Sequence, residues 1–353
     1  MNPPYAALLA GFLSTFFICS ALVWTQRWHT RWTIDDMQGV QKFHSAPTPR
    51  VAGLAIFAGL WLSLQFSSPQ VASVLAPMWV AGIPAFLFGL VEDITKRVGV
   101  RERLLATMFS GVLAWWMTDI SLNRLDVWGL DELLVWLPVS VAFTALAIGG
   151  VANAVNIIDG FNGLASGVLL ICLTALAACA FAVGDEPLAQ VCMVMGGVLT
   201  GFMLMNFPMG KIFLGDGGAY LAGFCLGWIA VLLPMRNPGV SPWVSLLACA
   251  YPVLEVLFSM LRRYRRNMHP GHPDRLHIHS LIKTRIIRKY LACLSPVMRN
   301  SAVSPLVWLL AAVPASLAVL LREQTPALIL CFLASAIGYV VCYRRLVLFG
   351  WFR

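Results

Sequence analysis

The constraint that governs this chain is a succession of apolar runs, each about as long as a bilayer is thick. A helix needs about 20 apolar residues to cross the hydrocarbon core. Eleven candidate runs start near Tyr5, Val51, Val71, Leu104, Leu133, Leu164, Leu188, Gly218, Trp243, Ala302 and Ala327. In hydrocarbon every backbone N–H and C=O must find its partner within the protein, which favours helices. Charged residues are only 12% of the chain and hydrophobic ones 59%, against about 25% charged in a soluble domain. The longest stretch between runs, 262–301, is too short for a soluble domain. The expected fold is all-α: one polytopic membrane domain over residues 1–353, with about 11 transmembrane helices.

Charge sets the expected direction. No Lys or Arg precedes the first run, and Arg27 and Arg31 follow it. This polarity predicts an outside N-terminus and no cleavable signal. Eleven crossings then leave the C-terminus in the cytoplasm. On that map 22 Lys and Arg residues face inward, while only Arg124, Arg236 and Arg322 face outward. The formal net charge of +9 therefore speaks to topology, anionic lipid and phosphate rather than to nucleic acid. Eight of the nine cysteines lie in apolar runs and no CxxC occurs, so packing explains them better than disulfides or metal.

The residues suited to chemistry fall in five predicted cytoplasmic segments, 26–50, 92–103, 153–163, 207–217 and 262–301. In the first, Lys42 can meet a phosphate or a lipid headgroup. In the second, Glu92 and Asp93 are adjacent and point in different directions on a helix, so one can reach a metal and the other a substrate. Lys96 shares the face of Asp93. In the third, NAVNIIDGFNGL, the residues Asn153, Asn156, Asp159 and Asn162 recur every third position on one drifting face. A lone carboxylate among amides and glycines between two apolar runs is costly unless it faces water, metal or substrate. In the fourth, NFPMGKIFLGDGGA, Asn206 and Lys211 precede Asp216, which opens an apolar helix. Asp216 can cap that helix, and its glycine-flanked turn suits Mg²⁺ and phosphate. In the fifth, Arg275, His277 and His279 make a cationic loop fit for a pyrophosphate. The two histidines lack the i, i+4 spacing of a helical zinc pair. Glu255, inside the ninth run, is expected to support the site from behind.

Together these segments, from about Lys42 to Ile282, resemble the polyprenyl-phosphate N-acetylhexosamine-1-phosphate transferases. NAVNIIDGFNGL and NFPMGKIFLGDGGA carry most of the resemblance. It implies Mg²⁺, or Mn²⁺ in its place, on Asp216 with Glu92. It also implies a nucleotide-sugar site lined by Asn156, Asp159 and Asn206, with Asn153, Asn162, Lys211, Lys42, Lys96 and the His loop around it. Departures from the family pattern are Glu92 and Asn162, each where Asp is usual, and Ser280 where His is usual. The implied reaction moves N-acetylhexosamine 1-phosphate, by default the N-acetylglucosamine form, from a UDP-sugar to undecaprenyl phosphate at the bacterial inner membrane. It would start a lipid-linked polymer such as O-antigen, and a homodimer is compatible with it. The acceptor's second pKa is about 6, so a general base is optional. Asp93 and Asp159 are the carboxylates placed in catalysis. A muramoyl-pentapeptide transferase is the related alternative, and a transporter or lipid flippase the alternative of another class. A transporter would carry ionisable residues deep in its spans, where only Glu255 stands.

Overall fold

The computed structural model describes residues 3–33, 48–267 and 276–348, and these are helical with no β-sheet. Lys42 and Arg275 lie outside the described residues. The chain runs α1 (Pro3–Trp24), α2 (Gln26–Thr33), α3 (Ala52–Gln65), α4 (Pro69–Ala81), α5 (Ile83–Thr95) and α6 (Val100–Thr118). After these come α7 (Leu130–Leu134), α8 (Leu137–Ile158), α9 (Leu164–Ala182), α10 (Glu186–Asn206) and α11 (Gly215–Arg236). The last part holds α12 (Pro242–Ala248), α13 (Ala250–Arg265), α14 (Ile278–Ile282), a π-helical turn (Lys283–Ile287) and α15 (Arg288–Tyr290). It ends with α16 (Pro296–Ser301), α17 (Val303–Leu320) and α18 (Thr325–Leu348).

Each of the eleven expected spans is a helix or a broken pair of helices. Among the described residues seven helices are long and apolar enough to cross a bilayer, or nine if α4–α5 and α12–α13 each count once. The other two fall short for separate reasons. α3 has 14 residues, and α6 carries Arg101, Glu102 and Arg103 in its first turn. The breaks follow from proline. Pro84 cannot donate to the carbonyl of Val80, nor Pro252 to that of Ala248, and each ring crowds that carbonyl. The chain therefore bends by 42° between α4 and α5 and by 78° between α12 and α13.

α11 is the axis of the bundle. It buries nearly all of its length against α3, α5, α6, α8, α9 and α12. Small residues make this possible, as expected where lipid supplies no hydrophobic drive between helices. A Cβ on Gly89 of α5 would stand 2.6 Å from the Asp216 carbonyl, and one on Gly223 of α11 would stand 2.6 Å from Cα of Ala152 in α8. The backbones touch, so what sits at the first turn of α11 is held from several sides.

Loops that the sequence assigned to one membrane face do meet at one end of the bundle. Arg50, Asp93, Asn156 and Asp216 contact one another across four segments. The expected outer loops meet at the other end. There Arg124 donates to the carbonyls of Pro234, Pro238 and Val240, and Asp185 pairs with Arg236.

Candidate functional site

The site is built on the N-terminus of α11. Gly215, at φ +72°, turns the chain into the helix. The first turn of a helix leaves backbone N–H groups without intrahelical partners. Asp216 does not cap them, contrary to the sequence expectation. Asp93, at the end of α5, takes them instead. Its Oδ1 accepts from Asp216 N at 2.8 Å and its Oδ2 from Gly217 N at 2.9 Å. The physical reason is proximity: glycine at 89, 215 and 217 brings α5 onto the helix start, closer than Asp216 can fold back on its own turn.

Asp216 is thereby left to face side chains. Arg50 Nη2 reaches its Oδ1 at 3.0 Å, Asn156 Nδ2 reaches the same oxygen at 3.1 Å, and Arg103 Nη1 closes on Oδ2. Arg50 also stands 3.5 Å from Asp93 Oδ1. It is placed by its neighbours' backbone: Phe213 N donates to Pro49 O at 2.8 Å, and Ala52 N to Phe213 O at 3.2 Å. Arg103 lies 5.7 Å over the ring of Tyr220, whose hydroxyl reaches Asn153 Oδ1 at 3.5 Å. Asp159, at the end of α8, is close enough to Asp93 for their charges to interact.

Arg50, Arg103 and Tyr220 are the members that the sequence reading did not single out. The two arginines entered it only as topological charges. Their signal was present, since Arg50 ends PTPR before Val51 and Arg103 sits in VRER, both at the mouths of spans. Tyr220 gave no signal, because one aromatic residue in an apolar helix is the ordinary case.

Other expected site residues turn out to hold the loops together. Asn206 accepts from Gly163 N at 2.6 Å and donates to Ile212 O at 2.8 Å. Asn162 donates to Pro208 O and Ser301 Oγ, each at 3.1 Å, and accepts from Asn300 at 3.4 Å. Both amides are buried, and their hydrogen bonds go to protein. They lock the 160s turn onto the loop before α11. Glu92 Oε2 accepts from Val98 N at 2.8 Å. Lys96 donates to Asp93 O at 2.8 Å, and Lys211 is exposed.

Of the expected cationic loop, His279 departs from that character, and Arg275 lies outside the described residues. His277 and His279 are buried and stack on each other, rings nearly parallel with centroids 5.2 Å apart. His277 Nδ1 is 2.9 Å from Glu255 Oε1. The Tyr251 hydroxyl lies 3.5 Å from both Glu255 Oε2 and His279 Nδ1. Burial pushes the His279 imidazole down to about 4, so it is neutral at pH 7. Glu255 does stand behind the loop, as expected. Phe161, beside Asp159, meets His279 edge-on at 5.5 Å, which ties this cluster to the end of α8.

No group of three His, Cys, Asp or Glu side chains fit to hold a metal occurs among the described residues. That excludes there a closed, all-protein cage. Mg²⁺ takes one or two carboxylates and fills its shell with water and phosphate oxygens. Asp216, beside the amide of Asn156, fits such an ion.

The model for glycosyl transferase family 4 matches residues 75–234, a stretch that holds Asp93, Arg103, Asn156, Asp159 and Asp216. The chain is 28% identical over 253 residues to the undecaprenyl-phosphate alpha-N-acetylglucosaminyl 1-phosphate transferase of Yersinia pestis, covering 70% of this chain and 68% of that one. It is 30% identical over 272 residues to the decaprenyl-phosphate N-acetylglucosaminephosphotransferase of Mycolicibacterium smegmatis, covering 67% and 65%. A further relative, the undecaprenyl-phosphate enzyme of Escherichia coli K12, is 26% identical over 253 residues, with 70% and 68% covered. The chain thus spans about two thirds of the length of these relatives.

Proposed function

The chain belongs to glycosyl transferase family 4, within the polyprenyl-phosphate N-acetylhexosamine-1-phosphate transferases, and from that premise we propose that it transfers N-acetylglucosamine 1-phosphate from its UDP-sugar to undecaprenyl phosphate. UMP leaves, and the lipid-linked sugar starts a cell-surface polysaccharide. The observation that carries this reading is the cluster at α11. Two guanidiniums, Arg50 and Arg103, and one carboxylate, Asp216, converge from distant stretches at a helix N-terminus. Such a set suits a diphosphate: the guanidiniums match phosphate oxygens, and the carboxylate would hold a divalent cation.

In this mechanism a non-bridging oxygen of the acceptor phosphate attacks the sugar-linked phosphorus. The bond from that phosphorus to the bridging oxygen breaks, and UMP departs with the oxygen. The nucleophile is already mostly ionised at neutral pH, since its second pKa is about 6. Positioning and charge neutralisation then dominate the catalysis. Arg50 and Arg103 bind and orient the phosphates. Asp216 would hold Mg²⁺, which would supply charge neutralisation at the transferred phosphoryl group. Tyr220, buried beneath Arg103, and Asn153, which its hydroxyl reaches, back that guanidinium. An apolar pocket of about 280 Å³, lined by Tyr251, Leu309, Val313 and Gly338 among others, would take part of the acceptor's tail. On this reading the reacting end faces the cytoplasm, which the positive-inside count supports, and the membrane is the bacterial inner membrane.

The test is release of labelled UMP by membranes given uridine-labelled UDP-N-acetylglucosamine and undecaprenyl phosphate. Release that needs the lipid acceptor and a divalent cation is expected. Absence of release across a panel of UDP-N-acetylhexosamines would overturn the reading.

A further inference from the structure

Asp93 stands at the site as the carboxylate first expected to take a proton. We infer that it is instead a positioning residue: its two oxygens hold the first turn of α11 and, through that turn, aim Asp216 at the phosphates. The inference rests on the sugar-phosphate transfer proposed above and goes beyond it.

Three observations carry it. First, each carboxylate oxygen already accepts a backbone N–H, from Asp216 at 2.8 Å and from Gly217 at 2.9 Å. No side chain of α11 caps its own start, where the N-cap position is Leu214. Second, the carboxylate is walled in. Asp93 is 1% exposed, and a Cβ on Gly215 would stand 2.6 Å from its Oδ2. A general base must come within about 2.6–3.2 Å of the proton that it takes, and this one has no open approach. Third, the carboxylate is anchored from outside α11. Arg50 lies 3.5 Å from Oδ1, and Lys96 donates to the residue's own carbonyl.

Fixing the Asp216 N–H fixes the peptide plane from which the Asp216 side chain projects. Arg50 spans both carboxylates, so Asp93 orients one phosphate-binding cation as well. The carboxylate serves the reaction through geometry, at a distance from the reacting atoms.

The experiment compares Asp93→Asn and Asp93→Glu in the full-length protein. It reads kcat and KM for UMP release from pH 5.5 to 9, and Mn²⁺ affinity by electron paramagnetic resonance. Asparagine keeps the reach and one acceptor, while glutamate keeps the acid and loses the reach. The positioning role predicts that Asp93→Asn is the more active of the two. Its pH profile should keep its shape, and its Mn²⁺ affinity should fall by about tenfold, as when a group supporting a metal ligand is removed. Asp93→Glu outperforming Asp93→Asn, or Asp93→Asn losing the acidic limb with wild-type Mn²⁺ affinity, would overturn the inference. Should neither variant fold, Gly89→Ala decides. It parts α5 from α11 and leaves the acid intact, so weakened Mn²⁺ binding supports the inference and wild-type binding and rate refute it. Wild-type UMP release is read alongside. Its absence would sink the proposed reaction, while the Mn²⁺ comparison still reports on Asp93.

Discussion

Two buried aspartates sit beside helix N-termini at opposite ends of the bundle, and their fates differ. Asp185, at the expected outer end, is consumed by local structure. It accepts from Leu188 N at 3.3 Å to cap α10, takes Arg236 bidentately at 2.8 and 2.9 Å, and takes Asn237 at 3.0 Å. Asp216, at the start of α11, caps nothing. Asp93 does the capping, and Asp216 meets two cations and an amide arriving from other loops. A carboxylate becomes available for chemistry when another group relieves it of its structural duty. The same residue type near a helix start is a clamp at one end and, on the proposed function, a working group at the other.

The contrast can be broken by substitution. Asp216→Asn should lower UMP release by about 10³-fold, the scale of losing a preorganised electrostatic group. Its thermal unfolding should stay close to wild type, and a rate within tenfold of wild type would remove Asp216 from the site. Arg103→Gln should cost about 10²-fold in kcat/KM, most of it in KM for the UDP-sugar, since it deletes a charged phosphate partner. An unchanged KM would refute that assignment. Asp185→Ala should leave UMP release per folded molecule within twofold and lower stability by roughly 2 kcal/mol. That figure is the broken-pair cost, discounted because Arg236 is partly exposed to solvent. A large loss of activity without loss of stability would erase the difference between the ends.

Titration sharpens the comparison with smaller effects. Burial works to raise the Asp185 carboxyl, but hydrogen bonds from Arg236 and Asn237 hold it below the usual carboxylate range. Its folded pKa is thus depressed. The stability it contributes is present above the unfolded value and is lost as pH falls through the folded one. Lys283, beside Asn300 behind the site, goes the other way. Burial, and then Arg288 and Arg299, push its ammonium down to about 7. Between about 7 and its ordinary value the unfolded chain binds more protons, so stability rises with pH across that window. Lys283→Met should abolish the rise and stabilise the protein at pH 6. Melting curves at pH 6 and 9 in detergent check both effects.

Much of this was legible in the sequence because hydrophobicity and charge are one-dimensional signals. Each apolar run became a helix or a broken pair, and the loops grouped by charge meet at one end. Asn156 and Asp216 were singled out from a polar spacing and a glycine turn, and they are in contact. The amides at 162 and 206, expected at the substrate, have protein partners in the structure. A buried amide that clips two loops together and one that meets a ligand have the same spacing and neighbours in sequence. His279 was expected to be cationic and is neutral, because its burial near Glu255 is invisible until α13 and α14 are packed together. Arg50 and Arg103 were counted for topology alone, since nothing local shows that residues 53 positions apart share one carboxylate.

The sequence by itself determined that the chain crosses a membrane as helices, which residues gather at one face, and the family to which it belongs. Those follow from the solvent: hydrocarbon leaves the backbone one form, and the bilayer sorts charge by side. Tertiary structure alone decided which carboxylate caps and which one is left to meet cations from other segments. That choice depends on glycines letting α5 lie against α11, a contact between backbones more than a hundred residues apart.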